Sequence, residues 1–397
     1  MNALGQMDFL FVTRRMAVMN NTQVGGGVRS TLLIEALSKL GHVDVISFVK
    51  EPVVSAIPNC DVIFSGEVPE RKLSLCDRVL LNLRLLFAPW RPGGYCVVDK
   101  DMSRIVARYY SAKHYDFVVC HFIADAVSCG LTRYADRLII DVDDNLVSAA
   151  RRDLANARAR SVKDLWRTRM IGRMQRHLLK RVKISFCSSE SDSPYEKSVF
   201  LPNVPLLSSP CRDVAGGAPM RLLFVGNMDF FPNQKGILHF VECVFPIVRE
   251  RIPAVELHVV GLCKDQDVRS KLCSIPGVRV LGFVDDLQEE YQNCRAVIVP
   301  LYHGSGTSVK FIEGVMMNRP VVATPMGARG FDRVFQANRH YLLAKSDQEF
   351  ADHVVNVLSD ITKAGLMARE ACEIAKANFS KERFFDVIQG AIEAIIS

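Results

Sequence analysis

A chain of 397 residues is long for a single hydrophobic core and predicts two domains, and 49% hydrophobic with 23% charged residues is the balance of an ordinary water-soluble globular protein. Twelve scattered cysteines, with no Cys-x-x-Cys pair and no Cys/His zinc spacing, argue against a disulfide scaffold or a zinc ribbon and for reduced structural thiols. The net charge of +7 lies in the first half: residues 1–205 hold 29 Lys+Arg against 21 Asp+Glu, and residues 206–397 hold 21 against 22, so an anionic partner is expected there.

In chain order, residues 1–12 lack a basic start and a cleavage site and read as a leader plus first strand. No run of about eighteen apolar residues predicts a membrane span. Residues 8–13 read as a buried parallel strand, and Gly25, Gly26 and Gly27 as a loop. Residues 28–40 read as a helix and 44–48 as the next strand, a unit of the doubly wound kind. The glycines do not have dinucleotide-fingerprint spacing, yet they would let backbone N–H groups approach a phosphate. Residues 71–91 and 151–183 are basic and amphipathic; the second stretch has twelve Lys+Arg against Asp153 and Asp164, with Trp166, Met170, Met174 and Leu178 recurring every four residues. Each reads either as a core helix with a basic rim or as a membrane-interface helix. Nucleic acid is not expected, because no reading motif is present.

Residues 116–120 form a strand with His121 at its C-terminal end, where ligands of open α/β sheets sit. Residues 137–141 form another strand that runs into Asp141, Asp143 and Asp144, carboxylates placed to accept an acceptor hydroxyl rather than a metal. After a strand at 184–187 and a Ser/Pro/Gly-rich linker at 206–219, a second strand–helix succession begins at 221. Its first loop is 226–236 and its first helix 237–251. The richest stretch follows a strand at 296–299. Gly304 and Gly306 turn the chain, Ser305 or Thr307 caps a helix, and Lys310 and Glu313 share its first-turn face. Free N–H groups at that helix start attract a phosphate. Taken alone, Lys310 and Glu313 read as a solvated ion pair. Residues 349–396 read as helices.

The segment 301–324, with Lys310, Glu313 and the run Pro320-Val321-Val322-Ala323-Thr324, resembles the donor-site signature of glycosyltransferase family 4 over more than twenty positions. The resemblance is continuous from 221 to 331 and weaker across the first half. It implies a GT-B fold: two Rossmann-like doubly wound α/β domains facing across a cleft. These are an acceptor-side domain at 1–205, a linker at 206–219, a nucleotide-sugar domain at 220–378, and a C-terminal helix at 379–397 that crosses back. It implies that Glu313 holds ribose hydroxyls, and that Lys310, Lys235 and the helix start at Gly306, Thr307 and Ser308 face the diphosphate without a metal. Asn227 lies in the loop that carries Lys235 to that diphosphate. The backbone at Phe283 and Val284 would face the base, Gly25–Gly27 the donor phosphate and sugar, and His121 a reacting hydroxyl. Ser305 stands where the family often has a donor-binding glutamate. The expected activity is retaining transfer from a nucleotide sugar, its substrate and not a cofactor, to a polysaccharide, lipopolysaccharide or glycolipid. The expected place is the cytoplasm, peripheral to the membrane. A nucleotide-sugar epimerase of the same fold and a non-catalytic basic binding module are the alternatives.

Overall fold

The computed structural model describes residues 7–14, 25–49, 57–68, 75–76, 79–80, 83, 98–142, 147, 150, 161–188, 198–205, 212–213, 219–304 and 306–396. The chain divides into two compact units, Met1–Pro202 with Phe384–Ser397, and Asn203–Arg383.

The first unit is built on seven parallel strands: β1 Met7–Thr13, β2 Gly41–Ser47, β3 Cys60–Ser65, β4 Phe117–His121, β5 Leu138–Asp141, β6 Ile184–Cys187 and β7 Ser198–Phe200. Their order is β3-β2-β1-β4-β5-β6-β7, so the winding reverses between β1 and β4. β1 and β4 are near-continuous apolar runs because helices cover both faces of a parallel sheet. Leu10 and Val12 point into one core with Val118, Cys120, Met174 and Leu178. Helix α1, Gly25–Ser38, follows β1; α2, Lys100–Ala112, is capped by Asp99; α3, Ile123–Ser128, follows β4; and α4 is Val162–Arg181. Gly25–Gly27 therefore form the first turn of α1 rather than a loop. Buried Val28, Leu32, Leu33 and Leu37 hold that helix on the sheet, and the first-turn N–H groups still lack intrahelical partners. In α4 the recurring Met170, Met174 and Leu178 are core residues, which favours the core-helix reading over that span; residues 151–160 lie outside the described residues.

The second unit has six parallel strands: β8 Arg221–Val225, β9 Glu256–Val260, β10 Val278–Gly282, β11 Ala296–Val299, β12 Val321–Ala323 and β13 Leu342–Leu343. They lie in the order β10-β9-β8-β11-β12-β13, with the reversal between β8 and β11. Helix α5, Phe231–His239, passes through a π turn at Phe240–Val244 into α6, Phe245–Arg251. It begins six residues before the expected start because Pro232 presets the first-turn backbone, so Lys235 lies on a helix and not in a loop. Then come α7 Gln266–Cys273, α8 Leu287–Gln292, α9 Val309–Met316, α10 Asp347–Ser359, α11 Ile361–Phe379 and α12 Lys381–Ile396, the last mostly within the first unit. One face of the sheet packs against α5, α6 and α10, and the other against α9 and α11.

Candidate active site

The second sheet brings two loops together at its switch point, where ligands bind in open α/β folds. One loop leaves β8 at Gly226, and the other leaves β11 and enters α9. Gly304 and Gly306 stand at φ +138° and +65°, backbone that side chains rarely adopt. The residue capping α9 is Ser308, not Ser305 or Thr307; Thr307 instead accepts a hydrogen bond from Asn203 at 2.8 Å, and Ser305 lies outside the described residues. Ser308 is buried, and its Oγ meets no hydrogen-bond partner among the described residues. The first N–H groups of an α-helix have no i−4 partner, and such a helix start suits an anion.

Lys310 and Glu313 are not a solvated pair. Lys310 is half-buried and donates to Asn233 Oδ1 at 2.9 Å. Asn233 is itself held by donation from its Nδ2 to Asn227 O at 2.9 Å. The Lys310 ammonium also stands 5.6 Å from the centre of the Phe224 ring, a cation–π distance. Glu313 is buried and accepts from the Tyr291 hydroxyl at 3.1 Å. Burial pushes the Glu313 carboxyl up to about 7, against the Tyr291 hydrogen bond and the Lys310 charge. Burial likewise draws the Lys310 ammonium down to about 8, against the Glu313 charge. Both groups therefore change charge close to neutral pH, and an incoming anion favours protonated Lys310.

Asn227 and Lys235 are exposed, and the Lys235 ammonium stands 5.8 Å over the Phe231 ring. Phe283 is exposed and Val284 packs partly into the core after β10. Gly226 is closely packed: a Cβ there would lie 2.8 Å from Asn233 Nδ2 and 3.3 Å from Lys310 Cε.

In the first unit, His121 ends β4 beside the switch point and is fully buried. Its Nδ1 lies 2.9 Å from Ser30 Oγ, its Nε2 lies 3.5 Å from Asp141 Oδ2, and its ring stacks on Phe122. Phe122 stands at φ +70°, a conformation bulky residues avoid and one that gathers at functional positions. Asp141 is held by Arg29 through two bonds of 2.6 and 2.9 Å. Arg29 also donates to Leu201 O and Pro202 O. Asp141 is thus committed to a buried pair and is not an open acceptor carboxylate. Asp143 and Asp144 lie outside the described residues.

Sequence reasoning missed Asn233, Tyr291, Ser30 and Arg29, the side chains that hold Lys310, Glu313, His121 and Asp141. Tyr291 carried one legible signal: it is an apolar-face position of α8, four residues after Leu287.

Residues 219–360 match the family model described as glycosyl transferases group 1. A Klebsiella pneumoniae protein described as an uncharacterized 44.6 kDa protein in the cps region is 24% identical over 215 residues, 52% of this chain and 55% of that protein. The chain thus spans about half the length of this curated relative. Sucrose-phosphate synthase from Thermosynechococcus elongatus superposes with a TM-score of 0.71 at 16% identity, covering 98% of this chain and 99% of that one. HepE from Anabaena, solved with UDP and glucose, superposes at 0.63 with 14% identity, covering 98% and 100%. The fold is that of GT-B proteins, two parallel-sheet α/β domains, and the match to the group 1 glycosyl transferases spans residues 219–360.

Proposed function

We propose that the protein is a retaining glycosyltransferase that moves a sugar from a nucleotide-diphosphate donor to a surface polysaccharide, lipopolysaccharide or glycolipid acceptor. The observation that carries this reading is half-buried Lys310 and buried Glu313 in the first turns of α9, inside the segment matching group 1 glycosyl transferases. HepE's UDP and glucose support the donor class, and the cps-region relative supports the acceptor class.

In this reading Glu313 accepts hydrogen bonds from the ribose hydroxyls. Lys310, Lys235 and the N–H groups from Gly306 to Ser308 stabilise the departing diphosphate, with Asn227 beside them and the backbone of Phe283 and Val284 toward the base. Such preorganised charge lowers the barrier where negative charge develops. It supplies what a divalent cation would otherwise supply, so no metal takes part in the transfer. The first turn of α1 at Gly25–Gly27 approaches the donor phosphate and sugar. His121, oriented by Ser30 and Asp141, positions a reacting hydroxyl, and Asp143 and Asp144 serve the acceptor side. The protein acts in the cytoplasm at the membrane surface.

The test is a thermal-shift screen against UDP, GDP, ADP and CDP, followed by diphosphate release from the matching nucleotide sugars without magnesium or manganese. One nucleotide should raise Tm in a concentration-dependent way, and its sugar should be turned over. If no nucleoside diphosphate shifts Tm, the donor reading fails. If turnover appears only with added magnesium or manganese, the metal-free account of the diphosphate fails.

A further inference from the structure

The C-terminal end of α5 and the start of α10 bring together three metal-ligating side chains outside the donor site. His239 is the last residue of α5, Cys243 follows four residues on, and Asp347 is the first residue of α10. Their ligand atoms all lie within 4.8 Å of one another. His239 Nε2 is 2.8 Å from Asp347 Oδ1.

The backbone explains the cluster. Phe240 and Val244 of the π turn are fully buried, which anchors that turn, while Cys243 is exposed beside half-buried His239. Residues four apart share a helix face, and such wide turns recur at functional sites. Asp347 is fixed at its helix start by Ser346, whose side chain caps α10. The Tyr302 ring meets His239 edge-on at 4.6 Å, and its hydroxyl lies 3.4 Å from Asp347 Oδ1. Tyr302 opens the loop that leads to Gly304 and α9.

We propose that His239, Cys243 and Asp347 bind one thiophilic divalent cation of the zinc class, with a fourth position open to water. Imidazole, thiolate and carboxylate are the zinc donor set, at bonds of about 2.0–2.3 Å. Donors around such a tetrahedral ion lie about 3.3–3.8 Å apart, so these side chains need only small rotations to close on it. On binding, the Cys243 thiol releases its proton to water and the sulfur coordinates as thiolate. The His239–Asp347 hydrogen bond then gives way to two metal bonds. The ion would tie α5 to α10 next to the Tyr302 loop, as a brace with no part in glycosyl transfer, so it stands whether or not the donor reading does.

The experiment titrates the reduced, metal-free full chain with Co2+ alone, then with Zn2+. One equivalent of Co2+ should produce a thiolate-to-cobalt charge-transfer band that Zn2+ bleaches. Cys243→Ser should abolish the band, Asp347→Asn should weaken Co2+ binding about tenfold or more, and Cys273→Ser, at another exposed thiol, should change nothing. Zn2+ should raise the Tm of wild type and not of Cys243→Ser; metal-free Tm values of the variants near wild type establish that they fold. Absence of the band in wild type, or its retention in Cys243→Ser, overturns the proposal and leaves a His239–Asp347 ion pair only.

Discussion

Glu313 concentrates the residue-scale chemistry, because a buried carboxyl with one hydroxyl donor is poised to take more hydrogen bonds. Glu313→Ala should weaken nucleotide binding by roughly 1.5–3 kcal/mol, the range for hydrogen bonds to charged groups. Calorimetric titration checks this, and unchanged affinity in a folded variant removes Glu313 from the donor site. The same residue sets a pH dependence. Its folded pKa is raised from 4.5 to about 7, so between those values the folded chain keeps a proton that the unfolded chain has released. Ligand-free stability therefore falls as pH rises through that window. Lys310, lowered from 10.5 to about 8, acts in the opposite sense, and stability rises between about 8 and 10.5. Glu313→Gln should abolish the fall below pH 7 and spare the rise above pH 8. Urea unfolding at pH 5, 7 and 9.5 measures both, and an identical pH profile in the variant contradicts the assignment.

At the scale of elements, the proposed donor site depends on how closely the β8 loop, α5 and α9 approach. Asn233, on α5, bridges the β8 loop to Lys310 on α9. Gly226 leaves room for that bridge, and an added Cβ would press on Asn233 and on the Lys310 stem. Gly226→Ala should cost about 1–3 kcal/mol of stability, as overpacking does. It should also raise the nucleotide Kd by about tenfold, equivalent to about 1.4 kcal/mol. Thermal unfolding and titration read the two effects separately. Loss of stability with unaltered Kd would mean that the bridge does not position Lys310.

Across the whole molecule, charge is the feature that points beyond the donor site. The apolar face of α4 is packed in the core, whereas Arg169, Arg173, Arg176 and Lys180 are exposed. Leu75, Val79, Leu80 and Leu83 are also exposed and helical, although much of the basic stretch 71–91 lies outside the described residues. No helix among the described residues is long and apolar enough to cross a membrane. An anionic bilayer would attract each basic residue by about 1 kcal/mol, and salt would weaken that attraction. The chain should co-sediment with anionic but not neutral vesicles at low salt. Changing Arg169, Arg173, Arg176 and Lys180 to Gln should reduce the bound fraction severalfold. Equal binding to neutral vesicles, or none to anionic ones, contradicts a peripheral electrostatic contact.

What the sequence determined by itself is what short-range physics encodes. The buried parallel strands β1, β4, β8 and β11 show as apolar runs because both faces of their sheets are covered. Lys310 and Glu313 are legible together because a helix puts residues three apart on one face. Edge strand β3 was hidden because much of it is exposed, and two-residue β13 is too short for any pattern. Only the tertiary structure decided which distant side chains meet: Asn233 with Lys310, Tyr291 with Glu313, Arg29 with Asp141, and Asp347 with His239 and Cys243. Those pairings follow from strand order and helix packing, and local periodicity carries no information about either. The same packing turned Lys310–Glu313 from an exposed ion pair into two groups that titrate near neutrality, because burial is a property of the folded chain.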